Sequence, residues 1–124
     1  KGTGPSREKL RELLSTILYD PSFLTDDVFE ERYQASIDPE TVELFGKKQG
    51  EIPRENLGPE LHKLKAKLLA IWGMDDRFGA LDVGLQLTRM VPDGQMHIFT
   101  RCGHWAQVEH AAEFNRLVLD FLGN

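Results

Sequence analysis

Apolar residues recur three and four positions apart early in the chain, at Leu10, Leu13, Leu14, Ile17 and Leu18. That is the spacing of one buried helix face. Pro5-Ser6 stands before the stretch, with a serine hydroxyl able to cap a free N–H, and Asp20-Pro21-Ser22 breaks it. A second helix is expected from about Thr25, with Asp26 and Asp27 in the first turn, where the helix dipole favours acids. A third runs from about Pro39 to Lys48, weakened by Gly46 and Gly50. Gly50 to Leu61, with Pro53, Gly58 and Pro59, reads as a linker.

Beyond the linker the pattern changes. Leu68-Leu69-Ala70-Ile71-Trp72 is a continuous apolar run ending at Gly73, as expected of a strand covered on both faces. Leu81 to Met90 has helical spacing, with Leu81, Gly84, Leu85 and Thr88 along one side. Met96-His97-Ile98-Phe99 is a second short strand, and Phe114, Leu117, Val118 and Phe121 mark a last amphipathic helix closed by Gly123. Strand, helix, strand, helix predicts an α/β unit whose two strands are parallel and joined by a right-handed crossover. The organisation is thus a helical portion over residues 1–49, a linker over 50–62 and an α/β portion over 63–124. Two parallel strands alone leave both sheet edges open. With an opening Lys1-Gly2-Thr3-Gly4 that lacks an initiator methionine, the chain reads as part of something longer.

Composition narrows the function classes. The 124 residues carry a formal net charge of −5, which argues against nucleic acid as the main partner, because a phosphate-binding face needs a basic excess. Lys63, Lys65 and Lys67 form only a small basic cluster, read as a solvated approach to the first strand. No apolar run approaches the roughly 18 residues that span a bilayer, and no secretory leader pattern is present. The single cysteine, Cys102, fits a reducing compartment, so a cytoplasmic location is expected.

Two residues carry candidate chemistry. Asp76 lies four residues past Trp72 and His104 five past Phe99. Functional loops of open parallel sheets gather at the carboxyl ends of the strands, so both should project from one edge. A carboxylate there can orient an imidazole while the imidazole moves a proton. Either residue alone also suits a blander role, a turn cap for the aspartate and a satisfied surface or core position for the histidine.

Trp72-Gly73-Met74-Asp75-Asp76-Arg77-Phe78, Cys102-Gly103-His104-Trp105-Ala106-Gln107-Val108-Glu109 and Glu113-Phe114-Asn115-Arg116-Leu117 together resemble the meta-cleavage product hydrolases. These are α/β-hydrolases that break a carbon–carbon bond in ring-opened aromatic compounds. The Gly-x-x-Asp turn marks only the superfamily, whereas Gly-His-Trp-x-Gln-x-Glu joined to Glu-Phe-Asn-Arg-Leu is far more specific. Leu18-Tyr19-Asp20 and Glu31-Arg32-Tyr33 extend the likeness into the helical half, which looks like the family's cap, or lid. The resemblance covers almost the whole chain and implies the C-terminal part of an α/β-hydrolase: cap helices, then the last two parallel strands with their helices.

It also implies roles. Asp76, rather than Asp75, is the triad acid and His104 the general base. Trp105 and Phe78 border the substrate, although either residue type also suits a core filler. Arg32 holds the acidic, dienol end of the substrate; its helix neighbours Val28, Phe29, Ala35 and Ser36 carry no charge, and a stem lying along the surface with its head in water is the plainer alternative. Leu13 and Ile17 match positions lining the apolar part of the cap pocket. The implied substrate is a 2-hydroxy-6-oxohexa-2,4-dienoate, split into 2-hydroxypenta-2,4-dienoate and a carboxylic acid without metal or organic cofactor. Homo-oligomers are usual in the family.

Two departures stand out. The family's proline after the acid turn is missing from Phe78-Gly79-Ala80-Leu81. The serines Ser6, Ser15, Ser22 and Ser36 all lie in the helical half, outside any Gly-x-Ser-x-Gly elbow, and the Gly-rich oxyanion loop is absent too. The nucleophile is therefore expected in an N-terminal segment that acts as this chain's partner, and the chain alone is expected to be inactive. Cys102 is too near His104 in sequence to replace the serine, and Cys102, His104 and His110 lack a recognised metal-ligand spacing. Ester or epoxide hydrolysis, and a non-catalytic interaction module, are the alternatives.

Overall fold

Ser6 starts the first helix, α1 (Arg7–Ile17): its hydroxyl accepts the Lys9 amide at 3.3 Å and its carbonyl the Leu10 amide at 3.0 Å. The computed structural model describes residues 4–46 and 56–123. Their contacts form two units, residues 1–15 with 24–55 and residues 16–23 with 56–124.

In the first unit, Thr25 caps α2 (Asp26–Ile37) by accepting the Val28 amide at 3.3 Å. Asp38 caps α3 (Pro39–Gly46), its Oδ1 taking the amides of Glu40 and Thr41 at 3.0 and 3.1 Å. Proline at the first position of α3 costs nothing, since that N–H has no helical partner. The tail of the expected third helix, Lys47 and Lys48, lies outside the described residues, as do positions 50–55 of the expected linker. Leu10, Leu14, Leu24 and Phe29 are buried. The guanidinium of Arg7 is gripped by both carboxylate oxygens of Glu30, at 2.7 and 3.0 Å, and lies 4.0 Å over the Tyr33 ring. Arg11 lies 4.0 Å over Phe29 and bonds Asp26 at 3.1 Å. Charge and ring contacts therefore join α1 to α2 along one side.

The second unit holds the sheet. β1 (Leu68–Gly73) and β2 (Gly94–Phe99) pair in parallel, from Leu68 opposite Gly94 to Gly73 opposite Phe99. The crossover is α4 (Leu81–Met90), as its periodicity predicts. Gly84 lets α4 lie close, because a β-carbon there would come within 2.8 Å of both Met96 and Trp72. β2 begins two residues before the expected Met96, since the Leu68–Gly94 register pairs both extra residues with β1. After β2 come a short α5 (Ala106–Glu109), unforeseen in the sequence, and α6 (Ala111–Gly123). Phe99, Cys102 and Ala106 form the buried centre, with Ile71, Phe114 and Leu117 packed against it.

Three expectations need correction. Residues Gly58–Lys63, placed in or beside the linker, form a 3-10 helix. Residues 16–23, placed in the helical half, belong to the second unit, because their backbone is hydrogen-bonded to the loop after β2 and to α5. β1 is only partly covered within the described residues: Ala70 and Gly73 are buried, but Leu69 and Ile71 open into a groove of about 300 Å³ shared with Phe114, Val118 and Phe121. Among the described residues no helix is long and apolar enough to cross a membrane.

Candidate active site

The parallel register ends both strands at one level, and the chain leaves each by a loop on the same edge. The loops are stitched together: the Met74 amide bonds the Phe99 carbonyl at 2.8 Å and the Asp75 amide the Cys102 carbonyl at 2.9 Å. Between them Gly73 is buried so tightly that a β-carbon would overlap the carbonyl oxygens of Gly103 and Cys102. Arg101, with φ of 55°, turns the second loop through a left-handed conformation. Asp76 and His104 are carried on these two loops.

His104 Nδ1 lies 2.9 Å from Asp76 Oδ2. The aspartate side chain is 5% exposed and the imidazole 43%, so the carboxylate is sheltered while the ring reaches the surface. The other aspartate oxygen, Oδ1, accepts the backbone amides of Phe78 at 2.8 Å and Gly79 at 2.9 Å. Burial alone pushes the Asp76 pKa upward, but the Gly79 amide, the His104 ring and the Phe78 amide together outweigh it, and the net shift is below the ordinary aspartate value. Asp76 is accordingly an anion at neutral pH and only accepts hydrogen bonds. It selects the Nδ1–H tautomer of neutral His104, which leaves the Nε2 lone pair free to take a proton.

Phe78 sits beside this pair, with its ring centroid 5.4 Å from that of His104. It is 66% exposed. The Trp72 indole N–H donates to the Gly79 carbonyl at 2.9 Å, bracing the acid loop from the strand side. Trp105 is half-buried at the start of α5, and its carbonyl receives the amides of Val108 and Glu109. Ile17 meets the site through its backbone: its side chain is buried, and its carbonyl accepts the His104 amide at 2.7 Å. Leu13 and Arg32 lie in the first unit, on α1 and α2, and both are exposed.

Cys102 is fully buried, and burial, followed by the nearby carboxylates of Glu109, Asp76 and Asp75, pushes its thiol up to about 11. Such a thiol stays protonated and is no nucleophile at neutral pH. No group of three or more metal-ligating side chains occurs among the described residues.

The residue that sequence reasoning passed over is Glu109. One of its oxygens accepts the Gly103 amide at 2.7 Å, and the other accepts those of Tyr19 at 2.8 Å and Asp20 at 3.1 Å. Its partners are backbone amides, two of them some 90 positions away in sequence, so side-chain pattern carried no sign of them; its place in the Gly-His-Trp-x-Gln-x-Glu stretch was the only hint.

No model of a known protein family matches the chain. Individual relatives do. A 2-hydroxy-6-oxononadienedioate/2-hydroxy-6-oxononatrienedioate hydrolase of Comamonas testosteroni is 46% identical across 97% of this chain and 43% of its own length. A 2-hydroxy-6-oxo-6-phenylhexa-2,4-dienoate hydrolase of Burkholderia cepacia matches to the same extent. Among solved structures, a meta-cleavage product hydrolase from Pseudomonas fluorescens IP01 superimposes with a TM-score of 0.82 at 34% identity, over 96% of this chain and 46% of that one. The chain thus spans less than half the length of the curated relatives it matches.

Proposed function

From the premise that this chain is a homologue of the C-terminal part of meta-cleavage product hydrolases, within the α/β-hydrolase superfamily, we propose that the whole protein hydrolyses a carbon–carbon bond in a ring-opened aromatic compound. The substrate is of the 2-hydroxy-6-oxohexa-2,4-dienoate type. Water is added across the bond, giving 2-hydroxypenta-2,4-dienoate and a carboxylic acid. The single observation that carries this reading is the 2.9 Å Asp76–His104 pair at matched strand ends, in a chain related to dienoate hydrolases.

In this reading the dienol ketonises, and a serine or water attacks the distal carbonyl. His104 Nε2 takes the proton of the attacking hydroxyl and passes a proton to the departing dienolate, while Asp76 holds the ring and steadies the imidazolium. Phe78 and Trp105 border the substrate, with Leu13 and Ile17 lining its apolar part. Arg32 pairs with the charged end, a task suited to a planar, permanently charged guanidinium. The nucleophilic serine and its oxyanion loop belong to a segment N-terminal to residue 1, which is this chain's essential partner. A homo-oligomer in the cytoplasm completes the proposal. An ester or epoxide substrate is less favoured, because the curated relatives at 41–46% identity carry dienoate and dienedioate names.

The test is turnover of a ring-opened dienoate by the whole protein, followed by loss of its visible absorbance. His104→Ala should reduce kcat by about a thousandfold or more. A whole protein that leaves the dienoate intact, or a variant with undiminished turnover, overturns the assignment.

A further inference from the structure

The loop that carries His104 is held from two directions. On one side the end of β1 leaves no space at Gly73, as described above. On the other lies the segment Ile17–Asp20. A β-carbon on Gly103 would overlap the Ile17 carbonyl oxygen and come within 2.7 Å of the Tyr19 nitrogen, so the two backbones are in direct contact. The His104 amide closes that contact on the Ile17 carbonyl at 2.7 Å.

Three further amides point into the same junction, those of Tyr19, Asp20 and Gly103, and all three end on the carboxylate of Glu109. Each oxygen is used: Oε2 by the segment 19–20 and Oε1 by the residue immediately before His104. Glu109 is itself only half exposed or less, and its own amide is fixed on the Trp105 carbonyl at 2.9 Å, so the carboxylate is presented by a fixed turn of α5. An ionised acceptor makes stronger hydrogen bonds than a neutral one, and two oxygens can serve two separate strands of backbone at once.

We infer that Glu109 is a positioning residue for His104: it binds the loop 102–104 to the segment 17–20 and so sets where the imidazole stands against Asp76. The inference rests on the proposed proton-transfer role of His104 but also concerns the Asp76–His104 hydrogen bond, which can be observed without any substrate. A displacement of about 1 Å in a group that transfers protons lowers the rate by about a hundredfold. The Glu109 carboxylate is taken up by three backbone amides, so the loss should fall on kcat.

The experiment uses the whole protein with Glu109→Gln and Glu109→Ala. Glutamine keeps the size but has one accepting oxygen in place of two, and its NH₂ faces an amide N–H. Expected are a tenfold to hundredfold lower kcat per folded molecule, on the order set by such displacement, a KM within about twofold of the parent, and a shifted or broadened low-field proton resonance for the His104 Nδ1–H on Asp76. Should Glu109→Ala not fold, Glu109→Gln decides. A variant that folds, keeps its kcat and keeps the low-field resonance unchanged overturns the inference; one that loses only thermal stability reduces Glu109 to a structural brace and overturns it equally. If the parent protein has no dienoate activity, the proposed function fails, while the resonance still tests Glu109.

Discussion

Asp76 shows how much one side chain can settle. Its two oxygens have separate tasks: Oδ1 holds the Phe78 and Gly79 amides, and Oδ2 faces His104 Nδ1. Asp76→Asn would keep an acceptor for the loop but turn an NH₂ toward Nδ1, selecting the tautomer with its proton on Nε2. The fold should survive while kcat of the whole protein falls by about ten-thousandfold, as when a triad acid is made an amide; steady-state kinetics beside a thermal melt would separate the two effects. The folded-state pKa of Asp76 is depressed. Its contribution to stability is therefore fully present above the ordinary aspartate pKa and is lost as pH falls through the lower, folded value. Carbon-13 titration of the Asp76 carboxyl should place its midpoint below 3.8, the ordinary value.

At the scale of elements, the joint between β1 and the loop after β2 leaves no room for a β-carbon at Gly73. Gly73→Ala would drive a methyl group into the carbonyls of Cys102 and Gly103, which are backbone and cannot swing aside. Overpacking of this kind costs about 1–3 kcal/mol or more, so the melting temperature should fall by several degrees, and the Asp76–His104 geometry should be lost with it. The contact between α1 and α2 is electrostatic in a different way. Arg7 and then Gln34 hold the Glu30 carboxyl down at about 2. The stabilisation this pair brings is complete above pH 4.5 and is lost as pH falls through about 2. Amide chemical shifts of Arg7 and Glu30 followed from pH 6 to 1.5 should move together with that midpoint; movement near 4.5 would show that the pair is not formed in solution.

At the largest scale, the decisive feature among the described residues is a sheet of two strands with one face half covered. Leu69, Ile71, Phe114, Val118, Phe121 and Leu122 line an open groove, and Leu119 and Leu122 are 69% and 73% exposed. Contiguous apolar surface of this kind is unusual on an isolated soluble chain. The 124-residue chain by itself should bind a hydrophobic dye such as anilinonaphthalene sulfonate and self-associate in sedimentation at micromolar concentration. It should also leave a ring-opened dienoate unchanged, as it holds no serine in an elbow after a strand. A chain that sediments as a monomer and leaves the dye dark would show the groove to be closed in solution.

Local pattern was enough for most elements. The 3,4-spaced leucines marked α1, the cap residues Ser6, Thr25 and Asp38 stand where helices begin, and the apolar run 68–72 gave β1 to within a residue, because each depends on neighbours a few positions apart. The placement of Asp76 and His104 just past two strand ends was likewise legible, since parallel pairing puts equivalent loops on one edge. What only the tertiary structure decided are the contacts between distant backbones. The incomplete cover of β1 depends on how α6 lies against the sheet, and the assignment of residues 16–23 to the second unit goes with the Tyr19 and Asp20 amides that Glu109 gathers from some 90 positions away. A main-chain N–H is the same in nearly every residue, so its partner is set by the path of the chain in space and leaves no mark in the order of side chains.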